Sequence, residues 1–303
     1  MDIGQLLPVI GGLLGFIALG VILRVSGVLR AEDSRPLNTL LMYVALPALV
    51  FSIVRREAID PSLLAMPAVG WIVALVGIAL AWGIARALKL DRPATGAFLL
   101  VAVFGNTGYV GYPVASALLG DSGLVRAIFS DVFGNTLVVI TVGTVLVSRF
   151  GQHSVRVNPF REIVTFPPFI ALALGLASRL VTLPVFVSDW LDALGKLVVP
   201  VIMVSMGLSL RPRAIRGHLP MASVAAALKL VVLPLGALAL GRLLAFDEPS
   251  LRIAVLQAGV PSMMLAALIG ERFKLDQDLI ASAILVTMVG SVVTIPVWQL
   301  LLG

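Results

Sequence analysis

Residues 98–119 read Phe-Leu-Leu-Val-Ala-Val-Phe-Gly-Asn-Thr-Gly-Tyr-Val-Gly-Tyr-Pro-Val-Ala-Ser-Ala-Leu-Leu, an apolar run broken at its centre by Gly105-Asn106-Thr107-Gly108-Tyr109-Val110-Gly111-Tyr112-Pro113. About 20 apolar residues suffice for a helix to cross a bilayer, so the run is long enough to span. Its centre is not built for a continuous helix. Three glycines weaken it, Pro113 lacks an N–H, and the proline ring drives Tyr112 away from α geometry. In lipid each unmatched backbone group costs several kcal/mol, so this segment must face protein or a wet cavity.

The device recurs once, more sparingly, as Gln257-Ala258-Gly259-Val260-Pro261-Ser262 between apolar flanks. The two breaks belong to a wider pattern. Phe16-Ile17-Ala18-Leu19 returns as Phe169-Ile170-Ala171-Leu172 at a shift of 153 residues, the same shift carries Leu46-Pro47-Ala48 onto Val199-Pro200-Val201, and a shift of 148 carries Pro113 onto Pro261. Three landmarks in order argue for two related halves, residues 1–150 and 160–303. Compositional self-similarity of an apolar chain is the plainer alternative.

Composition agrees with a membrane class. The 303 residues are 59% apolar and 13% charged, with a mean hydropathy of +1.08, whereas soluble domains carry about 25% charge. Apolar runs place spans near 5–23, 37–54, 65–85, 94–119, 123–147, 163–180, 190–209, 219–241, 251–270 and 279–302, an all-α membrane protein of ten helices. No Lys or Arg precedes Arg24, so the first run reads as a retained span and not as a signal peptide. The connections after odd-numbered spans hold fourteen basic residues (Arg24, Arg30, Arg35, Arg86, Lys89, Arg92, Arg149, Arg156, Arg161, Arg211, Arg213, Arg216, Arg272, Lys274). Those on the opposite side hold six: Arg55, Arg56, Arg126, Arg179, Arg242 and Arg252. The positive-inside rule then puts both termini of a multi-pass cell-membrane protein on the non-cytoplasmic side. Five spans per half is an odd number, so the second half is inserted upside down relative to the first.

Several chemistries are excluded. Cysteine is absent and the only histidines, His153 and His218, sit in connections, which leaves no metal site, no cofactor site and no nucleophile–base constellation for an enzyme. The net charge of +6 is dispersed in short clusters between apolar spans, so nucleic acid is not a partner. Membrane lipid and a small solute are the expected ones.

Paired broken helices near the bilayer midplane point to a substrate site. If they cross, each offers a half-helix N-terminus with roughly +0.5 of an elementary charge and free N–H donors, which favours an anion. Asn106, Thr107, Gly108, Gly111 and Pro113 from the fourth span, with Gln257, Pro261 and Ser262 from the ninth, form the expected substrate site. Asp131, Lys196 and Lys229 fall inside spans, where an ionisable group costs about 2.5–3.5 kcal/mol on insertion scales. Lys229 either neutralises a substrate anion, occupies a coupling cation's position or titrates, or it simply bonds carbonyls freed at a helix break. Asp131 lies four residues before Asn135 on one helix face and reads as a coupling group. Lys196 reads as snorkelling outward.

At Gly105-Asn106-Thr107 with Gly111-Tyr112-Pro113, at Val260-Pro261-Ser262 and at Asn38 with Pro47, the chain resembles the auxin efflux carrier family, which includes plant auxin exporters and bacterial carriers of malate or malonate. The resemblance covers nearly the whole chain. It implies a fold similar to bile acid:sodium symporters and sodium/proton antiporters, with scaffold spans 1, 2, 6 and 7 and transport spans 3–5 and 8–10. It also implies elevator-type alternating access of a small carboxylate, often as a homodimer, and matches Asn135 to a fifth-span asparagine that contacts a substrate carboxylate. The connection near 148–162 is short, so regulatory features of the long plant loop do not carry over. A cation-coupled antiporter or symporter of the same fold, and a non-transporting membrane scaffold or receptor, are the alternatives.

Overall fold

The computed structural model describes residues 3–59, 61–151, 158–209 and 217–302, and the sequence-predicted cationic positions Arg156, Arg211, Arg213 and Arg216, with His153, lie outside the described residues. In chain order the helices of the first half are α1 Ile3–Val25, α2 Ser34–Leu40, α3 Leu46–Arg56, α4 Pro61–Ala87, α5 Arg92–Val103, α6 Tyr112–Phe129 and α7 Thr144–Ser148. The second half holds α8 Pro159–Val164, α9 Pro167–Ala177, α10 Val185–Lys196, α11 Val198–Ser209, α12 Leu219–Ala227, α13 Leu233–Leu243, α14 Glu248–Gly259, α15 Leu265–Phe273 and α16 Gln277–Leu301. Wider π-helical turns join several of these into longer rods.

Six helical runs among the described residues are long and apolar enough to cross a membrane: Ala31–Arg56, Leu63–Ala87, Thr107–Ser148, Val185–Ser209, Leu219–Leu243 and Gln277–Leu301. Shorter apolar helices occupy Gly11–Val25, Arg92–Val103 and Pro167–Leu180. The 42-residue run is too long for one crossing, since a helix rises about 1.5 Å per residue and the hydrocarbon core is about 30 Å thick. Gly120 interrupts it with φ 61° and ψ −148°, a conformation that only glycine adopts freely.

Two compact units make up the chain. The first comprises Met1–Asp60, Tyr112–Ile128 and Phe160–Leu210. Within it α1 packs along α11 and α3 along α9. The α1–α11 approach depends on small residues: a Cβ on Gly20 would lie 2.2 Å from Val204 O, and one on Gly207 would lie 2.2 Å from Ile17 O. Such closeness is typical of helices that associate through packing in lipid. Asn38 accepts a hydrogen bond from Ser205 Oγ at 2.8 Å, and Arg56 pairs with Asp192 at 2.6 Å and Asp121 at 3.4 Å. Lys196 is exposed at the end of α10, as expected of a snorkelling lysine.

The second unit comprises Pro61–Gly111, Phe129–Pro159 and Arg211–Gly303. Its core is α5, buried along nearly its whole length from Thr95 to Val103, packed against α4, α12 and α16. Arg252, which falls at the start of the predicted ninth span and counts among the charges of the opposite side, lies inside α14, 5% exposed and ion-paired to Glu248 at 3.0 Å.

Candidate functional site

Both sequence breaks contain real interruptions, and they cross, but the first is confined to Phe104–Asn106: Thr107–Gly111 is a π turn and Tyr112, expected to leave α geometry ahead of Pro113, is the first residue of α6. α5 stops at Val103 and helical geometry resumes at Thr107, while α14 stops at Gly259 and α15 begins at Leu265. Between them Gly105 and Ser262 form an isolated antiparallel β-bridge. Asn106 N–H donates to Pro261 O at 2.8 Å and Met263 N–H to Phe104 O at 3.0 Å. Each interrupted strand of backbone thus supplies the other with partners that its own helix has lost, which is how non-helical backbone survives deep in a membrane protein.

Three more of the freed carbonyls are met by side chains. Val101 O, at the end of α5, accepts from Ser262 Oγ at 2.5 Å, and Gly105 O accepts from Asn135 Nδ2 at 3.2 Å. Ala258 O, at the end of α14, accepts from Lys229 Nζ at 2.5 Å. Its helical donor would have been the Ser262 N–H, which instead bonds Thr287 Oγ1 at 3.0 Å. Thr287 in turn donates toward Ser262 Oγ, 3.1 Å away.

Asn135, Thr107 and Asp131 form a chain: Asn135 Nδ2 donates to Thr107 Oγ1 at 2.9 Å, and Thr107 Oγ1 donates to Asp131 Oδ1 at 2.6 Å. Thr136 Oγ1 donates to the same oxygen at 3.0 Å. Asp131 and Asn135 are four residues apart, as the shared-face reading requires, but the turn between them is π-helical, residues Ser130–Thr136. Lys229 also sits on a π turn, Leu228–Val232. Each turn is fastened by an indole: Trp71 Nε1 donates to Phe133 O at 2.8 Å and Trp298 Nε1 to Leu230 O at 2.9 Å. Leu230 lies four residues before Pro234, whose nitrogen has no hydrogen to offer it. Single π turns inside α-helices are frequent at functional sites.

A cavity of about 40 Å³ opens among these groups, its polar wall formed by Thr107, Ser130, Asn135, Lys229 and Gln257. Gln257 is packed so closely on Gly111 that a Cβ there would lie 2.1 Å from its Oε1. Gly108 abuts the acid, its Cβ position 3.4 Å from Asp131 Oδ2. Asn106, 7% exposed, makes no side-chain hydrogen bond among the described residues, and its buried Nδ2 has no acceptor. Pro261 contributes a carbonyl and a chain break, and Ser262 serves as a cap. Pro113, the second residue of α6, belongs to the first unit. Sequence reading missed Thr136, Ser130 and Thr287, and the capping roles of Trp71 and Trp298. Thr136 alone had a local signal, its place beside Asn135.

The profile of a family described as membrane transport protein matches residues 6–299. An uncharacterized transporter of Methanothermobacter thermautotrophicus is 35% identical over 289 residues, covering 94% of this chain and 95% of that protein. One of Methanocaldococcus jannaschii is 30% identical over 292 residues, 93% of this chain and 94% of its own length. A protein of Rhizobium meliloti named as a candidate malonate transporter is 26% identical over 274 residues, 86% and 84% of the two chains. This chain belongs to the membrane transport protein family, the auxin efflux carrier and malonate transporter family that its crossover motifs resemble.

Proposed function

We propose that this transporter moves a small carboxylate by elevator-type alternating access, binding it beside the crossing of the two broken helices. The observation that carries this reading is that buried donors at the crossing lack acceptors, although the wall also holds a buried acceptor that receives no hydrogen bond among the described residues, Gln257 Oε1. Asn106 Nδ2 is buried and unmatched. Lys229, 1% exposed, spends one donor on Ala258 O and makes no other hydrogen bond among the described residues, although an ammonium carries three. The helical turn that begins at Thr107 also leaves its first amides without intrahelical acceptors. A buried donor left unmatched costs about 1–3 kcal/mol, so the complement is a ligand rich in acceptors.

Size agrees with this class. The 40 Å³ cavity is well above the roughly 10–15 Å³ that one water needs and has room for a carboxylate group. The malonate in the name of the Rhizobium meliloti relative is consistent with a short carboxylate. The cavity's lining residues all fall within the second compact unit, which supports a mechanism in which that unit carries its substrate as a body. The pairing of α1 with α11 and of α3 with α9 is the pairing that a pseudo-two-fold axis through two inverted five-span repeats requires. Ten spans with both termini outside the cytoplasm complete the reading.

A thermal-shift screen of short mono- and dicarboxylates on the purified protein tests it. A ligand present at 100 times its Kd stabilises the folded state by about 2.7 kcal/mol. A rise in the unfolding midpoint with at least one carboxylate is expected; a folded protein that none of them stabilises refutes the assignment.

A further inference from the structure

The Lys229 ammonium lies where the carbonyl ends of the two broken helices converge. It is 2.5 Å from Ala258 O at the end of α14. On the other side it lies against the first break, since a Cβ on Gly105 would come within 3.0 Å of Nζ and 3.1 Å of Cε. Half-helix C-termini and unwound carbonyls are the groups with which carriers coordinate a sodium ion: the helix end carries roughly −0.5 of an elementary charge, and an unwound carbonyl offers lone pairs that no helical N–H takes. Here four of those oxygens each already accept a hydrogen bond: Val101 O from Ser262, Gly105 O from Asn135, Phe104 O from Met263 N–H and Ala258 O from Lys229.

We infer that Lys229 is a tethered cation that fills the coupling-ion position at the helix crossing, so that this carrier works without sodium and owes that independence to one side chain. The opposed structural role, a cap that merely satisfies Ala258 O, predicts no change in ion requirement when the lysine is replaced. Only the transport arm of the test rests on the carboxylate-carrier reading; the ion-binding arm does not.

Wild type, Lys229→Arg and Lys229→Met are compared in sodium, lithium and choline chloride at equal ionic strength. In the binding arm, sodium raises the unfolding midpoint of Lys229→Met in a concentration-dependent way and leaves wild type unmoved relative to choline. In the transport arm, uptake of labelled malonate into proteoliposomes by wild type and Lys229→Arg is the same in all three salts. For Lys229→Met it falls by about tenfold in choline, the scale of a well-placed helix-terminus charge, and sodium restores it in part. Wild-type uptake or stability that depends on sodium overturns the inference, even if Lys229→Met cannot be purified folded. So does a folded Lys229→Met that sodium does not stabilise. A wild type that transports no carboxylate, alongside a sodium-stabilised Lys229→Met, leaves the tethered-cation role standing and removes the substrate assignment.

Discussion

Thr107→Val removes one hydroxyl and changes almost nothing else in shape, yet that hydroxyl is the middle of a three-residue chain. It donates to Asp131 Oδ1 at 2.6 Å and accepts from Asn135 Nδ2 at 2.9 Å. A buried hydrogen bond to a carboxylate contributes about 1.5–3 kcal/mol. The amide–hydroxyl bond contributes nearer 0.6 kcal/mol, the average for membrane proteins, whose unfolded chains also find partners in lipid. The substitution is therefore expected to destabilise the protein by about 2–3.5 kcal/mol. Most of that should vanish when Asp131 is already Ala, which takes away the acceptor, because residues of one network are not additive. Equilibrium unfolding in mixed micelles of wild type, both single variants and the double variant measures the coupling. A Thr107→Val protein within about 0.5 kcal/mol of wild type, or a cycle that closes additively, would refute the assignment of Thr107 as the link between Asn135 and Asp131.

Gly111→Ala sets a methyl 2.1 Å from Gln257 Oε1, so Gln257 must swing out of the cavity wall. Carboxylate affinity should fall by about tenfold or more, a cost of at least 1.4 kcal/mol, and titration should show Gly111→Ala/Gln257→Ala binding no worse than Gln257→Ala alone. Trp298→Phe strips Leu230 O of its indole donor and should lower stability by about 1–3 kcal/mol while loosening the turn that carries Lys229; an unchanged unfolding midpoint would contradict the capping role. Gly207→Ala, with its new methyl 2.2 Å from Ile17 O, must separate α1 from α11 and should cost about 1–3 kcal/mol in the same unfolding assay.

Much of the site was legible because backbone chemistry wrote it. A break inside an apolar run must find partners elsewhere, so the crossing at Gly105-Asn106 and Val260-Pro261 followed from local residues; the predicted extent did not, because Thr107–Gly111 closes a π turn and Tyr112-Pro113 open α6, where a proline in the first turn costs no hydrogen bond. Asn106, Asn135, Gln257 and Lys229 announced themselves as polar groups at membrane depth. The π turns did not, because a search for 3.6-residue periodicity does not register one extra residue in a turn. Thr287 and Trp298 were equally hidden: their partners, Ser262 and Leu230, are 25 and 68 residues away, and only packing brings them together. Arg252 counts by sequence among the charges of the opposite side's connections, yet it is buried inside α14, where an i,i+4 pair with Glu248 meets its charge.

Asn106 gives the most direct test of the central claim. Its side chain makes no hydrogen bond among the described residues, so Asn106→Ala should leave the unfolding midpoint unchanged or raise it, while abolishing counterflow of labelled malonate in proteoliposomes. On the proposed reading, that buried donor is kept for the carboxylate. Full counterflow by a folded Asn106→Ala protein would contradict the account.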